Sequence, residues 1–535
     1  MSQPIFQIPS KLIRAGSRML KPNRILAMGG GGRIGANRAR VDSPTKCYAW
    51  CSTASRQSDT TASETTEPVV GNNPLGWADV MGVDQDLMQR DPGGSATAGR
   101  LVTLRTFLVH ALKIQSPVLQ LDLKAAFRHL LLHQQTPEGN PRAAAPSESS
   151  GSLDVSIPSR RCQAMAAWLL DHQLVQSNAD PCLYLGRQFH VFFLHDSVLI
   201  LGNSDKFKAE ILAPRFASGA TDLLHEVETV LGIQITRRRE EDGDQDTLYL
   251  SQSKLISKAF KELKGLDESA GGQEAQTPLT PKLHLPEADE WEHKEFMGTG
   301  KNYRQSVGQL TQIGSTTRPD ISYASSYLSQ FAEKPGMRHW AQVSRCWQYL
   351  QATQHKALRL RISPQAPFAL EIWSDANWAG DLSSRASQSG YLACLHGACV
   401  SWNSARQLTV SLSSTESEMR ALVEATQELI WLQRLVKELN TLSPSSGSSN
   451  QTLPPDKLSH MNYIDNHSLA CLLANNSFHS KTKHIDVHTK WLRQHVNNHV
   501  LTYQWIPTSN MIADCLTKPA PKSSYSLLCD EISLL

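Results

Sequence analysis

The chain has 535 residues, of which 40% are apolar, 19% charged and 7% aromatic, a length that calls for about three domains and a composition that excludes a highly charged disordered tail or a fibrous repeat. Fifty-three Lys and Arg against 50 Asp and Glu leave a net charge of +3, which rules out a whole-chain basic coat for nucleic acid but not a local basic groove. No run approaches ~18 apolar residues, so no membrane span is expected, and ten scattered cysteines make no disulfide scaffold.

Together these features predict a soluble, intracellular, multi-domain protein, cytoplasmic or nuclear. Residues 1–99 read as an extension that is largely disordered. Up to Val41 it holds eight Lys and Arg and no acid, the charge bias of an organelle transit peptide. Gly30, Gly32 and Gly35 form a G-x-G-x-x-G, but no amphipathic helix follows it, so a flexible loop is expected. Cys47 and Cys51 have no second ligand pair at finger-like spacing. No chemistry is assigned to this segment.

Order is expected from Arg100 onward. Helical apolar spacing covers 101–114, and 117–123 reads as a buried strand carrying Asp122. After a Pro/Ala/Ser break at 141–152, residues 164–175 are helical. The apolar run 190–202 is strand-like but interrupted by His195, Asp196 and Ser197. A second polar break covers 269–276, and a helical stretch runs from Tyr303 to about Gln354. Its His339, Trp340, Trp347, Tyr349 and Leu350 read as core packing. Arg237, Arg238 and Arg239 read as a solvated hairpin tip.

The last unit concentrates the acids. A strand at 368–373 delivers Asp375, and strand-like runs follow at 390–396 and 398–402. A hydroxyl residue among Ser413, Ser414 and Thr415 can cap a long helix. On it Glu418, Leu422, Ala425, Leu429, Leu432 and Val436 recur at helical spacing, which sets Glu418 in the first turn beside the packed face. A later strand, 461–464, ends at Asp465, and a final helix is expected to open at 512 with Asp514. Four carboxylates at the ends of separate elements suit two hard divalent cations ~4 Å apart. Surface acids also end strands and cap helices without any metal, and spacing alone leaves both readings open.

The runs Trp373-Ser374-Asp375-Ala376-Asn377-Trp378-Ala379-Gly380, Val400-Ser401-Trp402-Asn403-Ser404, Ser413-Ser414-Thr415-Glu416-Ser417-Glu418, Asp465-Asn466, Lys481-Thr482-Lys483-His484-Ile485-Asp486 and Ala513-Asp514-Cys515-Leu516-Thr517-Lys518 together resemble the ribonuclease H domain of copia-type retrotransposon polyproteins. The resemblance implies Asp375, Glu418, Asp465 and Asp514 as catalytic metal ligands, with Mg²⁺ as the ion and Mn²⁺ as a substitute. His484 is a lesser candidate that assists in the site or orders its loop. Asn377 and Met419 depart from the family's more frequent Asp and Tyr. The implied partner is nucleic acid, an RNA/DNA hybrid, whose phosphates Lys481, Lys483, Lys490 and Arg493 could meet.

Upstream, Val118-Leu119-Gln120-Leu121-Asp122-Leu123 is similar to the first palm motif of that family's reverse transcriptase. Leu194-His195-Asp196-Ser197 stands where Tyr-x-Asp-Asp is expected. Asp122, Asp196 and Ser197 therefore form a degenerate polymerase site, because a neutral hydroxyl cannot replace a carboxylate beside divalent cations. Nothing before Arg100 resembles the fingers, and the family's protease and integrase parts are not recognisable.

The expected architecture is an α+β and α/β multidomain chain. A truncated reverse-transcriptase palm occupies 100–265 and a helical thumb or connection-like region 266–365. A ribonuclease H-like mixed sheet with flanking helices follows at 366–520, then a tail at 521–535. The expected function is two-metal hydrolysis of the RNA strand of RNA/DNA hybrids, with polymerisation lost. The rivals are a non-catalytic nucleic-acid-binding relic and a residual reverse transcriptase that borrows parts from a full-length Pol protein of a related element.

Overall fold

The run Leu101–Lys113 has almost no polar face, and a helix of that kind belongs inside a protein. It forms helix α1, buried continuously from Thr103 to Leu112. A computed structural model describes residues 99–134, 158–214, 216, 223–239, 246–263, 275–363, 366–442, 458–474 and 483–534, apart from the side chains of 129–134, 158–160 and 483–486. The glycine-rich run, the transit-like signal, Cys47, Cys51 and the break at 141–152 lie outside the described residues.

The chain is a mixed α/β structure with two antiparallel sheets and one mixed sheet. After α1 come β1 (Val118–Asp122), α2 (Leu123–Gln134), α3 (Pro158–Asp171), β2 (Val175–Gln176), β3 (Leu183–Leu185), β4 (Phe189–Leu194) and β5 (Ser197–Gly202). A short helix α4 (Ser204–Phe207) precedes β6 (His225–Glu226). These strands form a six-stranded antiparallel sheet in the order β2-β3-β4-β5-β1-β6. The polar interruption in the 190–202 run is thus a hairpin turn, with His195 in the left-handed region at φ 53°.

The second sheet joins β7 (Thr229–Val230), β8 (Ile233–Arg239), β9 (Asp246–Ser251) and β10 (Leu358–Leu360) in the order β10-β9-β8-β7. Arg237 lies on β8 and pairs with Asp246 at 2.8 Å. Between β9 and β10 run α5 (Ser253–Glu262), α6 (Glu290–Gly298), α7 (Tyr303–Thr316), α8 (Ser322–Ser329) and α9 (Met337–Ala352). The stretch read as helical over 303–354 is therefore three helices, broken where Pro319 and Pro335-Gly336 cannot continue a helical ladder. His339, Trp340, Trp347, Tyr349 and Leu350 are buried in the core of this helical region, and His339 stacks on Phe331.

The third sheet holds β11 (Leu370–Asn377), β12 (Gln388–Leu395), β13 (Ala398–Arg406), β14 (His460–Ile464) and β15 (Tyr503–Trp505), ordered β13-β12-β11-β14-β15. The first three pair antiparallel, and β14 joins β11 and β15 in parallel. The long helix α10 (Ser414–Thr441) crosses β11 and β12, with Glu418, Leu422, Ala425, Leu429, Leu432 and Val436 all buried. Helices α11 (His467–Ala474), α12 (Lys483–Asn497) and α13 (Lys522–Glu531) complete the unit. The helix expected at 512 is instead a single 3₁₀ turn, Ile512–Leu516, because Pro519 follows too soon for an α-helix to grow.

One apolar cluster runs through α1, the first sheet, the third sheet and α10. Arg105 ties it together: fully enclosed, it donates to the Val400 carbonyl at 2.6 Å and to those of Thr316 and Ser315 at 2.9 and 3.2 Å. Its guanidinium lies over the Trp402 ring. The C-terminal half of α10 is covered by residues of the first sheet's loops, through Ser177 to Glu438 and Trp431 to the Ala179 carbonyl.

Candidate metal centre

Strands β11 and β14 run parallel with Trp373 opposite Tyr463. Two residues further along each, the same register sets Asp375 level with Asp465. Helix α10 starts where Ser413 accepts a hydrogen bond from the Glu416 N–H at 3.2 Å. That cap fixes the first turn so that Glu418 points back at the strand ends, where the Ala376 N–H reaches it. One carboxylate oxygen each from Asp375, Glu418 and Asp465 come within 4.8 Å of one another, the one such group of three or more acids, histidines or cysteines among the described residues.

Asp514 reaches the site from the 3₁₀ turn, which packs on β11 and β12. That approach depends on Gly390, the register partner of Asp375. A Cβ at Gly390 would lie 2.8 Å from both Leu516 Cβ and Thr517 Cγ2, closer than packing allows. With the turn seated, the Thr517 hydroxyl donates to Asp375 Oδ2, and the Thr508 hydroxyl donates to Asp465 Oδ2 at 2.7 Å. The Lys518 ammonium forms an ion pair with Asp514 Oδ1 at 2.7 Å.

The electrostatics follow from enclosure. Burial, then the charge of Asp514, pushes the Asp375 carboxyl up to about 7 against the pull of Lys518 and Thr517. Burial, then Asp375 and Asp465, holds Glu418 well above the usual carboxylate range. Burial raises Asp465 as well, with Thr508 opposing. Acids that resist ionisation alone are relieved by a cation, and three hard oxygen donors suit Mg²⁺ or Mn²⁺. The donor set therefore fits the divalent ion expected for the site.

A pH dependence follows for the metal-free chain. Asp375 is harder to ionise folded than unfolded, so the folded chain keeps the extra proton and loses stability as pH rises from the ordinary Asp value of ~4 toward about 7. Above that the contribution is flat. Denaturant unfolding in chelator at stepped pH measures it, and Asp375→Asn is expected to lower the slope, the raised Glu418 and Asp465 leaving a remainder of the same sign.

The other sequence-predicted residues fall differently. His484 lies by its backbone in the first turn of α12, and its side chain is outside the described residues. Helix α12 packs on α10, with Thr489 donating to the Met419 sulfur. Arg493, expected near phosphate, donates to the Leu472 carbonyl at 2.5 and 3.1 Å. Lys481 and the side chain of Lys483 lie outside the described residues, and Lys490 is exposed on α12.

Of the residues expected to form a degenerate polymerase site, Asp122 and Ser197 are register partners on β1 and β5. Asp122 accepts from the Ala125 N–H at 3.0 Å, and Ser197 accepts from Gln120 at 3.1 Å. Asp196 is gripped by the buried Arg161, whose Nη2 and Nε lie 2.5 and 3.1 Å from one carboxylate oxygen. Missing from the sequence reading were Arg161, Thr508 and Thr517. Thr517 stood in the motif that delivered Asp514 but carried no assigned role.

No family model matches the sequence. The chain is 30% identical over 452 residues to the retrovirus-related Pol polyprotein from transposon TNT 1-94 of Nicotiana tabacum, covering 81% of this chain and 32% of that one. It is 29% identical over 461 residues to the Pol polyprotein from transposon RE2 of Arabidopsis thaliana, covering 81% and 29%. The chain thus spans about a third of the length of these relatives. A solved structure, the N-terminal RNase H domain of a Mycobacterium tuberculosis protein fused to maltose-binding protein, is 12% identical at a TM-score of 0.19 and covers 30% of this chain and 97% of that one. No helix among the described residues is long and apolar enough to cross a membrane. Over 81% of its length, then, the chain is related to the retrovirus-related Pol polyproteins of copia-type transposons.

Proposed function

We propose that the third-sheet unit is a ribonuclease H-like domain that hydrolyses the RNA strand of an RNA/DNA hybrid. The observation that carries this is the convergence of Asp375, Glu418 and Asp465 within 4.8 Å in a chain of the Pol family. A divalent cation bound there would polarise the scissile phosphate and make a water acidic enough to attack. Asp375 is held in its ligand orientation by Thr517, Asp465 by Thr508, and Glu418 by the Ala376 N–H. In-line attack on the phosphodiester leaves a 3′-hydroxyl on one product, and preference for RNA rests on contacts to the 2′-hydroxyl.

The first sheet serves this unit as a scaffold rather than a polymerase. Arg161 neutralises Asp196, and Ser197 offers no charge. The test uses the full chain with strand-labelled RNA/DNA, RNA/RNA and DNA/DNA duplexes in Mg²⁺, Mn²⁺ or chelator. Metal-dependent cutting of the RNA strand of the hybrid alone is expected. Binding without cutting would favour a nucleic-acid-binding relic. Primer extension is expected to be absent, and Ser197→Asp alone does not restore it because Arg161 still occupies Asp196.

A further inference from the structure

The four acids of the centre do not share one kind of partner. Asp375, Glu418 and Asp465 turn an oxygen toward a common point, whereas Asp514 gives Oδ1 to the Lys518 ammonium at 2.7 Å. An exposed pair at this i, i+4 spacing is ordinary surface chemistry that contributes little. Here the acid is sheltered and the cation partly so: the Asp514 side chain is 12% accessible and that of Lys518 39%. Lys518 also acts electrostatically on Asp375, Asp465 and Glu418, so its charge sits within the cluster.

The stem of Lys518 is anchored as well. The backbone N–H groups of Thr517 and Lys518 both donate to the Asp514 carbonyl at 3.2 Å. The Thr517 side chain is fixed on Asp375. The Leu516 carbonyl accepts from Ser404 at 2.6 Å, and Gly390 admits the whole turn onto β12. The residue that follows this turn therefore has a fixed starting point, and its ammonium folds back onto the acid four residues before it.

We propose that Lys518 is the tethered cation of the Asp514 side of the centre, so that the chain binds one divalent ion, between Asp375, Glu418 and Asp465, where four free carboxylates would take two. This rests on the metal-centre reading above and deepens it. One Mg²⁺ needs no more than two or three carboxylates, completing its shell with water and phosphate oxygen. Asp514 is then a positioning residue for Lys518 rather than a ligand. Lys518 in turn supplies a fixed positive charge beside the bound phosphodiester without an ion having to be captured.

The test is a Mn²⁺ titration of the chelator-stripped full chain, followed by the loss of the free-ion signal in electron paramagnetic resonance. About one ion is expected per wild-type chain and per Asp514→Asn chain, and about two per Lys518→Gln chain, in which Asp514 becomes available. Two ions on the wild type, or one on Lys518→Gln, overturns the proposal and leaves the metal centre standing. Loss of the ion from Asp514→Asn overturns it too, by making Asp514 a ligand. A wild-type chain that binds no Mn²⁺ overturns both readings. If Lys518→Gln does not fold, the wild-type and Asp514→Asn counts decide.

Discussion

Asp375→Asn is expected to cut RNA-strand cleavage by about 10³-fold or more, equivalent to ~4 kcal/mol of barrier, while making the metal-free chain harder to unfold at neutral pH. The two effects share one cause. Asp375 is enclosed, level with Asp465 and beside Asp514, and its carboxyl is pushed up to about 7. An ionised acid in that position costs stability until a cation arrives. The amide keeps the shape and can still accept from Thr517, but it carries no charge to hold an ion or to repel its neighbours. A gain of ~1–3 kcal/mol in chelator is expected, read by denaturant unfolding, alongside loss of cutting of a labelled hybrid. Retained cutting would sink the assignment of Asp375 as a ligand. Lost cutting with no gain in stability would show that its burial is relieved in some other way.

Arg105→Met is expected to destabilise the chain by about 3 kcal/mol or more, because it strips a buried donor from three carbonyls at once. Two of those carbonyls belong to α7 and the third to β13, so the loss falls where α1, the helical region and the third sheet meet. The midpoint of urea unfolding measures it. The same geometry predicts that residues 366–534 produced without the preceding segments stay incompletely folded. Their α10 and β13 would present to water the apolar surface that α1 and the loops around Ala179 now cover. Hydrogen exchange on that fragment, set beside the full chain, is the measurement. Protection of α10 equal to that in the full chain would refute the dependence.

The parts of this arrangement that sequence made legible are those in which local signals agree. Helix α10 carries a capping Ser413, a buried stripe at helical spacing and an acid in its first turn, so Glu418 could be placed beside the sheet. Asp375 and Asp465 follow short apolar runs, and strand ends are where such acids come together. Asp514 was found by motif but set on the wrong element, since an apolar pair before an acid reads as a helix start until Pro519 is weighed. Lys518 closed that same motif, but its role was not legible. Its meaning depends on the close approach at Gly390, a contact between residues far apart in the chain. The same holds for Arg161, which is remote in sequence from Asp196 and whose partner only the hairpin turn presents. Conversely, His195 and Asp196 read as an interruption of one strand-like run and are a turn between two strands.

Strand β10 has a consequence for how the chain is made. It closes the second sheet on β9, more than a hundred residues earlier, and its other side is met by Leu358 bridging to Leu534 and by the Arg359 N–H donating to Ser533. Helix α1 likewise waits for β13 and α10. At ribosomal rates of roughly 5–20 residues per second, the ~300 residues that separate α1 from its cover take roughly 15–60 s to emerge. Through that interval a helix buried on every side in the finished protein is exposed beside a nascent sheet. The order of synthesis therefore makes this fold dependent on protection of α1, and slow pairing over such sequence distances prolongs that need.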